Sequence, residues 1–155
     1  DLGRPAVLFG TLLAIAILDP AGPQTARVAV AALVPVNLVV EGLKRAVNRA
    51  RPDGEHKRSN ASFPSSHAAN AATVAAVLAW RWRRLGILAW VLAVVIAFSR
   101  LYLNRHFPTD VLVGIAIGVA ADVGGGAAIV KEGAATAAGV PASAAGAATA
   151  GAAVT

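Results

Sequence analysis

The feature of this sequence that most constrains its fold is an alternation of long uncharged apolar stretches with short charged ones. Five stretches have this apolar character, namely residues 5–18, 28–43, 64–82, 85–103 and 108–130. About 20 apolar residues in a helix span a bilayer, and helices commonly continue past their purely apolar part. Charged residues make up only 14% of the chain, and its mean hydropathy is +0.64. We therefore predict an all-α fold, an integral membrane helical bundle with five spans.

The chain divides into two regions of different composition. Residues 1–132 hold the predicted spans and are interpreted as one membrane domain. Residues 133–155 consist almost only of Ala, Gly, Thr, Ser and Val. A low-complexity segment with this much glycine argues against a firm helix, and we assign this tail no function.

The positive charge of the chain indicates a membrane boundary rather than nucleic acid. The formal net charge is +6, but a nucleic-acid-binding protein needs an exposed polar face, and the sequence shows none. The Lys and Arg residues are better placed where they face anionic lipid head groups or hold a phosphate. The absence of cysteine excludes thiolate catalysis, disulfides and cysteine metal sites.

Two of the predicted spans contain residues that restrict how they pack. Pro35 and Asn37 in the second span are tolerated only if neighbouring helices satisfy the hydrogen-bonding groups that are freed. Gly114 and Gly118 in the last span are four residues apart. They either let another helix approach closely or reflect the general frequency of glycine in membrane helices, and both interpretations stay open.

The basic turn at residues 81–84 predicts the orientation in the membrane. It contains three arginines and a tryptophan, so the positive-inside rule places it in the cytoplasm. The opposite ends of the adjoining helices, residues 44–66 and 99–108, then face outward, although these loops are basic too. High alanine content hints at a GC-rich bacterial source. We therefore expect a bacterial cytoplasmic membrane protein whose polar residues collect on the extracytoplasmic face.

Three polar clusters lie at these outward ends. They are Lys44 with Arg51 and Pro52, then Pro64-Ser65-Ser66-His67, then Ser99-Arg100 with His106 and Asp110. Each has a structural explanation when taken alone. The second cluster resembles a helix cap, an acid near a helix start stabilises that helix, and a cation at a membrane boundary commonly snorkels to the head groups.

Taken together, the clusters predict a phosphate site. Unpaired backbone amides at the start of the third span form an anion site. Lys44, Arg51 and Arg100 converge on it with two histidines, and such a preorganised cage stabilises a transferring phosphoryl group. A carboxylate within reach of an imidazole, as Asp110 is of His106, fixes which ring nitrogen bears the proton and leaves the other free as base or nucleophile.

In order and spacing, the clusters resemble the three signature motifs of the type 2 phosphatidic acid phosphatase superfamily, which also includes bacterial acid phosphatases and vanadium haloperoxidases. The resemblance runs from Lys44 to about Gly114. It implies that His106 is a nucleophile that forms a phosphohistidine, that Asp110 orients it, and that His67 protonates the leaving oxygen and then activates water. It further implies a set of phosphate-binding residues, Lys44, Arg51, Ser65, Arg100 and the Ser66 amide, and no metal or other cofactor.

The sequence departs from the family in two respects. Ser66 stands where the family usually has glycine, which is a mild change if only the backbone amide is used. Membrane members commonly have six spans, so we expect a first helix that is missing here or precedes Asp1.

The resulting prediction is a membrane enzyme that hydrolyses a lipid phosphate or diphosphate without metal. Candidate substrates are a polyprenyl diphosphate such as undecaprenyl diphosphate, phosphatidic acid, phosphatidylglycerophosphate and a polyprenyl-linked sugar phosphate. Three alternatives remain: a lipid phosphotransferase with the same site, a soluble acid phosphatase or haloperoxidase, and a non-catalytic membrane protein that binds lipid phosphate. The expected partners are the lipid substrate and the bilayer, with no nucleic acid, and the sequence does not indicate the oligomeric state.

Overall fold

The computed structural model describes residues 22–54 and 61–121, and these residues form four helices without any strand. The helices are α1 (Gly22–Val47), α2 (Ser66–Arg81), α3 (Arg83–Tyr102) and α4 (Pro108–Ala121). The predicted all-α class is thus confirmed for the described part of the chain. The first predicted span, residues 122–130 of the last one, and the 133–155 tail lie outside it, so the count of five spans is not confirmed.

Two of the helices are long and apolar enough to cross a membrane. These are α1, over Thr25–Val47, and α3, whereas α4 is a shorter apolar helix within the described residues. The outer face of α3 carries large apolar side chains that are more than half exposed, among them Leu88, Val94 and Phe98. Soluble monomers rarely show an apolar surface of this extent. It suits the acyl chains of a bilayer better than water, which counts against the soluble phosphatase.

The central element is α2, which packs on α1, α3 and α4. Its buried residues are all alanine, valine or threonine. Small side chains allow close approach of neighbouring backbones, which is how helices associate in a membrane, where lipid tails remove the hydrophobic driving force. Because three helices contact α2, the position of its first turn is fixed from several sides.

The two glycines of α4 allow a close approach of this kind between α4 and α2. A Cβ built on Gly114 would lie 2.5 Å from the carbonyl oxygen of Ser65, and one on Gly118 would collide with the carbonyl oxygen of Ala69. Of the two interpretations that the sequence left open, close helix packing is therefore the correct one. Gly114 holds the start of α4 directly against the residue that precedes α2.

A pair of amides joins α1 to α2 inside the bundle. Asn37 Nδ2 donates to the Leu33 carbonyl at 2.8 Å and to Asn70 Oδ1 at 3.0 Å, and Asn70 Nδ2 donates to Asn37 Oδ1 at 3.4 Å. The expectation that a neighbouring helix provides hydrogen-bond partners for Asn37 is confirmed. Pro35, two residues before Asn37, lies within a continuous helix.

The helix directions bring the polar clusters to one end of the bundle. The chain reverses at Trp82 between α2 and α3, so the first turn of α2 and the last turn of α3 lie together at the opposite end. The end of α1 and the start of α4 join them there, because Lys44 approaches Ser66 and the Ser65 amide bonds the Asp110 carbonyl.

Candidate active site

The first cluster lies where α1 ends. Asn48 adopts a left-handed conformation with φ of 45°, and its N–H bonds the Lys44 carbonyl at 2.9 Å, which is a common way to terminate a helix. Lys44 thus belongs to the last turn, where its side chain is buried. Its Nζ lies 3.4 Å from Glu41 Oε1 and 3.5 Å from Ser66 Oγ. The ammonium group is therefore directed at the first turn of α2.

The second cluster forms the start of α2. The helix begins at Ser66 with Ser65 as its N-cap, so Pro64 precedes the helix instead of standing in its first turn. Ser65 is completely buried; its Oγ accepts from the Ala68 N–H at 3.5 Å, and its own N–H donates to the Asp110 carbonyl at 2.9 Å. Ser66 and His67 occupy the first helical turn, which faces Lys44.

The third cluster is folded back onto the end of α3. The N–H groups of Arg105 and His106 lie 3.0 Å and 3.3 Å from the Arg100 carbonyl, and Asn104 in the turn has φ of 53°. This short loop places His106 beside the last turn of α3. Arg100 is buried in that turn, and its Nε donates to Ser99 Oγ at 3.2 Å.

The ring of His106 is fixed by a backbone carbonyl. Its Nδ1 lies 2.7 Å from the Ser62 oxygen and 3.8 Å from Asp110 Oδ2. Because a carbonyl oxygen can only accept, the proton sits on Nδ1 and the lone pair of Nε2 stays available. The role of Asp110 in orienting the ring stays a prediction, and the structure adds Ser62 as a second partner.

The surroundings of His106 keep its ring uncharged. Burial is the main cause that lowers the pKa of His106, the charges of Arg51 and His67 act in the same direction, and the resulting pKa is about 4. The Ser62 hydrogen bond and the Asp110 charge act in the opposite direction but do not offset the burial. At neutral pH the imidazole is therefore neutral, as a nitrogen nucleophile has to be.

Asp110 has both a structural and a site-facing role. The carboxyl is fully buried, and Oδ2 accepts from the Phe107 N–H at 2.9 Å. Phe107 directly precedes Pro108, the first residue of α4, so Asp110 bonds back to the cap position as in a capping box. Oδ2 also accepts from the hydroxyl of Ser62, and Oδ1 accepts from Arg49 Nη1 at 2.9 Å.

Arg49 and Ser62 are site residues that the sequence did not reveal. Arg49 stands two positions before Arg51, and a second cation in so short a loop was a usable signal. Ser62 acts on His106 through its backbone carbonyl, which every residue possesses, so no residue type marks it. Its amide in turn donates to the Arg49 carbonyl at 2.8 Å.

All eight predicted site residues lie at this end of the bundle. Lys44 contacts Ser66, the Ser65 amide donates to the Asp110 carbonyl, the Arg100 carbonyl accepts from the His106 amide, and His67 follows Ser66 in the first turn of α2. Arg51 Nη1 lies 3.4 Å from the Arg105 carbonyl, next to His106. Within residues 22–54 and 61–121, no group of three His, Cys, Asp or Glu side chains is arranged to hold a metal ion.

Comparison with known proteins establishes the family. The family model described as the PAP2 superfamily matches residues 25–125, well over half of the chain. The chain therefore belongs to the PAP2 superfamily, and the resemblance inferred from its three motifs is confirmed.

Individual relatives agree with this assignment. Decaprenylphosphoryl-5-phosphoribose phosphatase of Mycobacterium tuberculosis is 41% identical over 95 residues, which are 54% of this chain and 52% of that protein. The crystal structure of Aquifex aeolicus LpxE matches with a TM-score of 0.69 and 29% identity, covering 79% of this chain and 77% of that one. A transmembrane PAP2-type phosphatidylglycerolphosphate phosphatase from Bacillus subtilis matches with a TM-score of 0.61 and 29% identity, covering 77% and 67%. The chain spans about half the length, or less, of the curated relatives that it matches.

Proposed function

We propose that the protein is an integral membrane phosphatase that hydrolyses a lipid phosphate or diphosphate through a phosphohistidine intermediate. The observation that carries the proposal is the setting of His106, whose Nδ1 is held by the Ser62 carbonyl and whose ring is neutral. Lys44, Arg51 and Arg100 lie at the same end of the bundle and supply positive charge for phosphate oxygens. Membership of the PAP2 superfamily supports the same chemistry.

The reaction proceeds in two displacements. In the first, the entering phosphate monoanion gives its proton to His67, Nε2 of His106 attacks phosphorus, the bond from phosphorus to the lipid oxygen breaks, and that oxygen takes the proton from His67. In the second, His67 removes a proton from water, the water oxygen attacks the phosphohistidine, and the phosphorus–nitrogen bond breaks. Inorganic phosphate leaves with the proton that His67 took from water, and both imidazoles are again neutral.

The remaining residues stabilise the charge that develops on the phosphoryl group. The three cations and the hydroxyl of Ser65 bind its oxygens together with the Ser66 amide at the start of α2, where the helix dipole favours an anion. Asp110 steadies the cation that His106 becomes when it is phosphorylated. None of these steps requires a metal ion.

We infer a lipid substrate because the site lies at one end of a helical bundle whose outer surface is apolar. The exposed apolar face of α3 ends at the loop that carries His106, so an acyl or polyprenyl tail lies along the bundle while its phosphate enters the site. The names of the relatives, one acting on a decaprenyl-linked phosphoribose and one on phosphatidylglycerolphosphate, support the same class of substrate. Polyprenyl diphosphates and phosphatidic acid belong to it too.

The test is phosphate release from a panel of these lipid phosphates in detergent. The parent protein should release phosphate with and without EDTA, His106→Ala should lose release, and His67→Ala should lose most of it. Trapping with a phosphorus-labelled lipid should yield an acid-labile, base-stable phosphoprotein in His67→Ala and none in His106→Ala. Activity that survives in His106→Ala would refute the nucleophile. Transfer of label to a second lipid instead of water would indicate a phosphotransferase, and binding without release a non-catalytic protein.

We further propose that the protein lies in the bacterial cytoplasmic membrane with the site on the extracytoplasmic face. The basic turn at the opposite end of α2 and α3 supports this orientation. Since the chain has no cysteine, single cysteines at Asp53 and Arg84 report on the two ends. An impermeant maleimide added to intact cells should label Asp53→Cys and not Arg84→Cys, and the reverse pattern would invert the topology.

A further inference from the structure

One arginine outside the predicted site joins all three motif-bearing segments. Arg49 Nη1 donates to Thr109 Oγ1 and to Asp110 Oδ1, both at 2.9 Å. The guanidinium carbon lies 3.9 Å from the centre of the Phe107 ring, so the group stacks on the loop that follows His106. The Arg49 carbonyl accepts from the Ser62 amide. The residue thus connects the loop after α1 to the loop before α2 and to the first turn of α4.

Two of the residues that Arg49 contacts, Asp110 and Ser62, lie next to Nδ1 of His106. Arg49 bonds Asp110, Asp110 accepts from the Ser62 hydroxyl, and the Ser62 carbonyl holds His106 Nδ1. The Nε2 atom lies on the other side of the same ring. Arg49 therefore acts on the Nδ1 side of the His106 ring. Arg51 instead contacts the main-chain carbonyl of Arg105, the residue that precedes His106.

The charge of Arg49 also compensates the one carboxylate that the site buries completely. Asp110 has no exposed surface, while the Arg49 side chain is 38% exposed. Breaking a buried ion pair by removing one partner is costly because it leaves an uncompensated charge. Without Arg49, Asp110 would relax toward other donors, and Ser62 and Phe107 would move with it.

We propose that Arg49 is a positioning residue for the reaction, an inference that rests on the proposed function of His106. It holds Asp110 and Ser62 so that the proton of His106 stays on Nδ1 and Nε2 points at phosphorus. The planar guanidinium is required, because it bonds two oxygens from one nitrogen while stacking on Phe107, and a lysine ammonium has no flat face to stack.

The test compares Arg49→Ala and Arg49→Lys with Arg45→Ala, a matched control at an exposed position in the last turn of α1. Loss of a group that hydrogen-bonds to a metal ligand typically reduces metal affinity or activity by about 10- to 100-fold, and we take this scale for a group that hydrogen-bonds to Asp110. We expect a loss of this size in kcat for Arg49→Ala, with KM within about twofold, a smaller loss for Arg49→Lys, and no change for Arg45→Ala. A raised KM with unchanged kcat would instead make Arg49 a phosphate ligand and overturn the proposal.

A double-mutant cycle tests whether Arg49 acts through Asp110. Residues that work as one unit show strongly non-additive losses. Arg49→Ala combined with Asp110→Asn should therefore be no slower than Asp110→Asn alone. Losses that multiply would refute the proposed route. If Arg49→Ala does not fold, the same cycle is run with Arg49→Lys.

A readout independent of turnover separates this inference from the proposed function. Histidine-selective 15N NMR of the protein in micelles reports the tautomer of His106. We expect the Nδ1-protonated form in the parent and in Arg45→Ala, and a mixture of tautomers in Arg49→Ala. If the parent protein releases no phosphate from any lipid, the proposed function is refuted. If the tautomer of His106 is unchanged in Arg49→Ala, the positioning role of Arg49 is refuted.

Discussion

Replacing Gly114 with alanine should damage the site through the packing of two helices. The added Cβ would lie 2.5 Å from the Ser65 carbonyl oxygen and 3.3 Å from the Ala68 Cβ. Carbon–oxygen contacts are normally no shorter than about 3.3 Å, so α4 has to move by about 0.8 Å. The obstacle is a backbone oxygen, which cannot rotate away as a side chain can. We expect the free energy of unfolding to fall by about 1–3 kcal/mol, as for other overpacked positions.

The displacement also reaches the proposed catalytic residues. Gly114 lies one turn after Asp110, whose carbonyl accepts the Ser65 amide and whose carboxyl lies 3.8 Å from the His106 ring. A misplacement of about 1 Å can cost roughly 100-fold in rate. We therefore expect kcat of Gly114→Ala to fall by about 10- to 100-fold in the lipid phosphate assay.

Two other glycines separate the packing effect from the effect on the site. A Cβ on Gly86 would lie 2.1 Å from the Ala79 Cα, but at the end of the bundle opposite the site, whereas a Cβ on Gly42 in α1 would meet nothing within 4 Å. Gly86→Ala should lower stability without lowering the kcat of the folded fraction. Gly42→Ala should raise stability by up to about 1 kcal/mol, since alanine is the better helix former.

The assay pairs thermal unfolding in detergent with kcat for each variant, normalised to folded protein. If Gly114→Ala were as stable and as active as Gly42→Ala, the close contact between α4 and Ser65 would be refuted. If Gly86→Ala lost as much kcat as Gly114→Ala, general loosening of the bundle and not local displacement would be the cause.

Two further predictions concern the His106 ring and the amide pair. In 15N NMR, His106 should titrate near pH 4, because burial lowers its pKa, and a midpoint near 6.5 would contradict its buried position. Since the folded-state pKa lies below the unfolded one, the contribution of this group to stability is present above about pH 6.5 and is lost as the pH falls through about 4. Asn70→Leu alone should lower the free energy of unfolding by about 1–2 kcal/mol, because it removes the hydrogen-bond partner of Asn37 on α2. Leucine at both positions should recover most of that loss. Additive losses of the two substitutions, measured by unfolding in detergent, would argue against the pair.

The helices and the convergence of the motifs could be predicted because their signals are local. The apolar stretches bounded by charged residues predicted the positions of α1 to α4. The short turns between them predicted that Lys44, Ser66 and His106 lie at the same end of the bundle. The choice between the two interpretations of Gly114 could not be made from the sequence, because it depends on how closely a second backbone approaches. The start of α2 was displaced by two residues because the hydroxyl of Ser65 caps the helix.

The partners of His106, the proposed nucleophile, could not be predicted for a different reason. The oxygen that holds His106 is the main-chain carbonyl of Ser62, which no residue type marks. The contacts of Arg49 lie about 60 positions away in the sequence, at Thr109 and Asp110, so only the tertiary structure reveals them. Sequence patterns thus predicted the groups that are proposed to touch the phosphate, and missed Arg49 and Ser62, which contact these groups.

The helix-start contact of Asp110 and its proposed role in orienting His106 do not exclude each other. Its Oδ2 accepts hydrogen bonds from the Phe107 amide, just before α4, and from the Ser62 hydroxyl. Its Oδ1 accepts one from Arg49 Nη1. The contacts that begin the helix therefore also fix the loop from which His106 projects. Because one carboxylate makes all these contacts, the geometry around the proposed nucleophile depends on the start of α4. If His106 acts as proposed, an ordinary capping interaction keeps its reactive nitrogen in place, as preorganised catalysis requires.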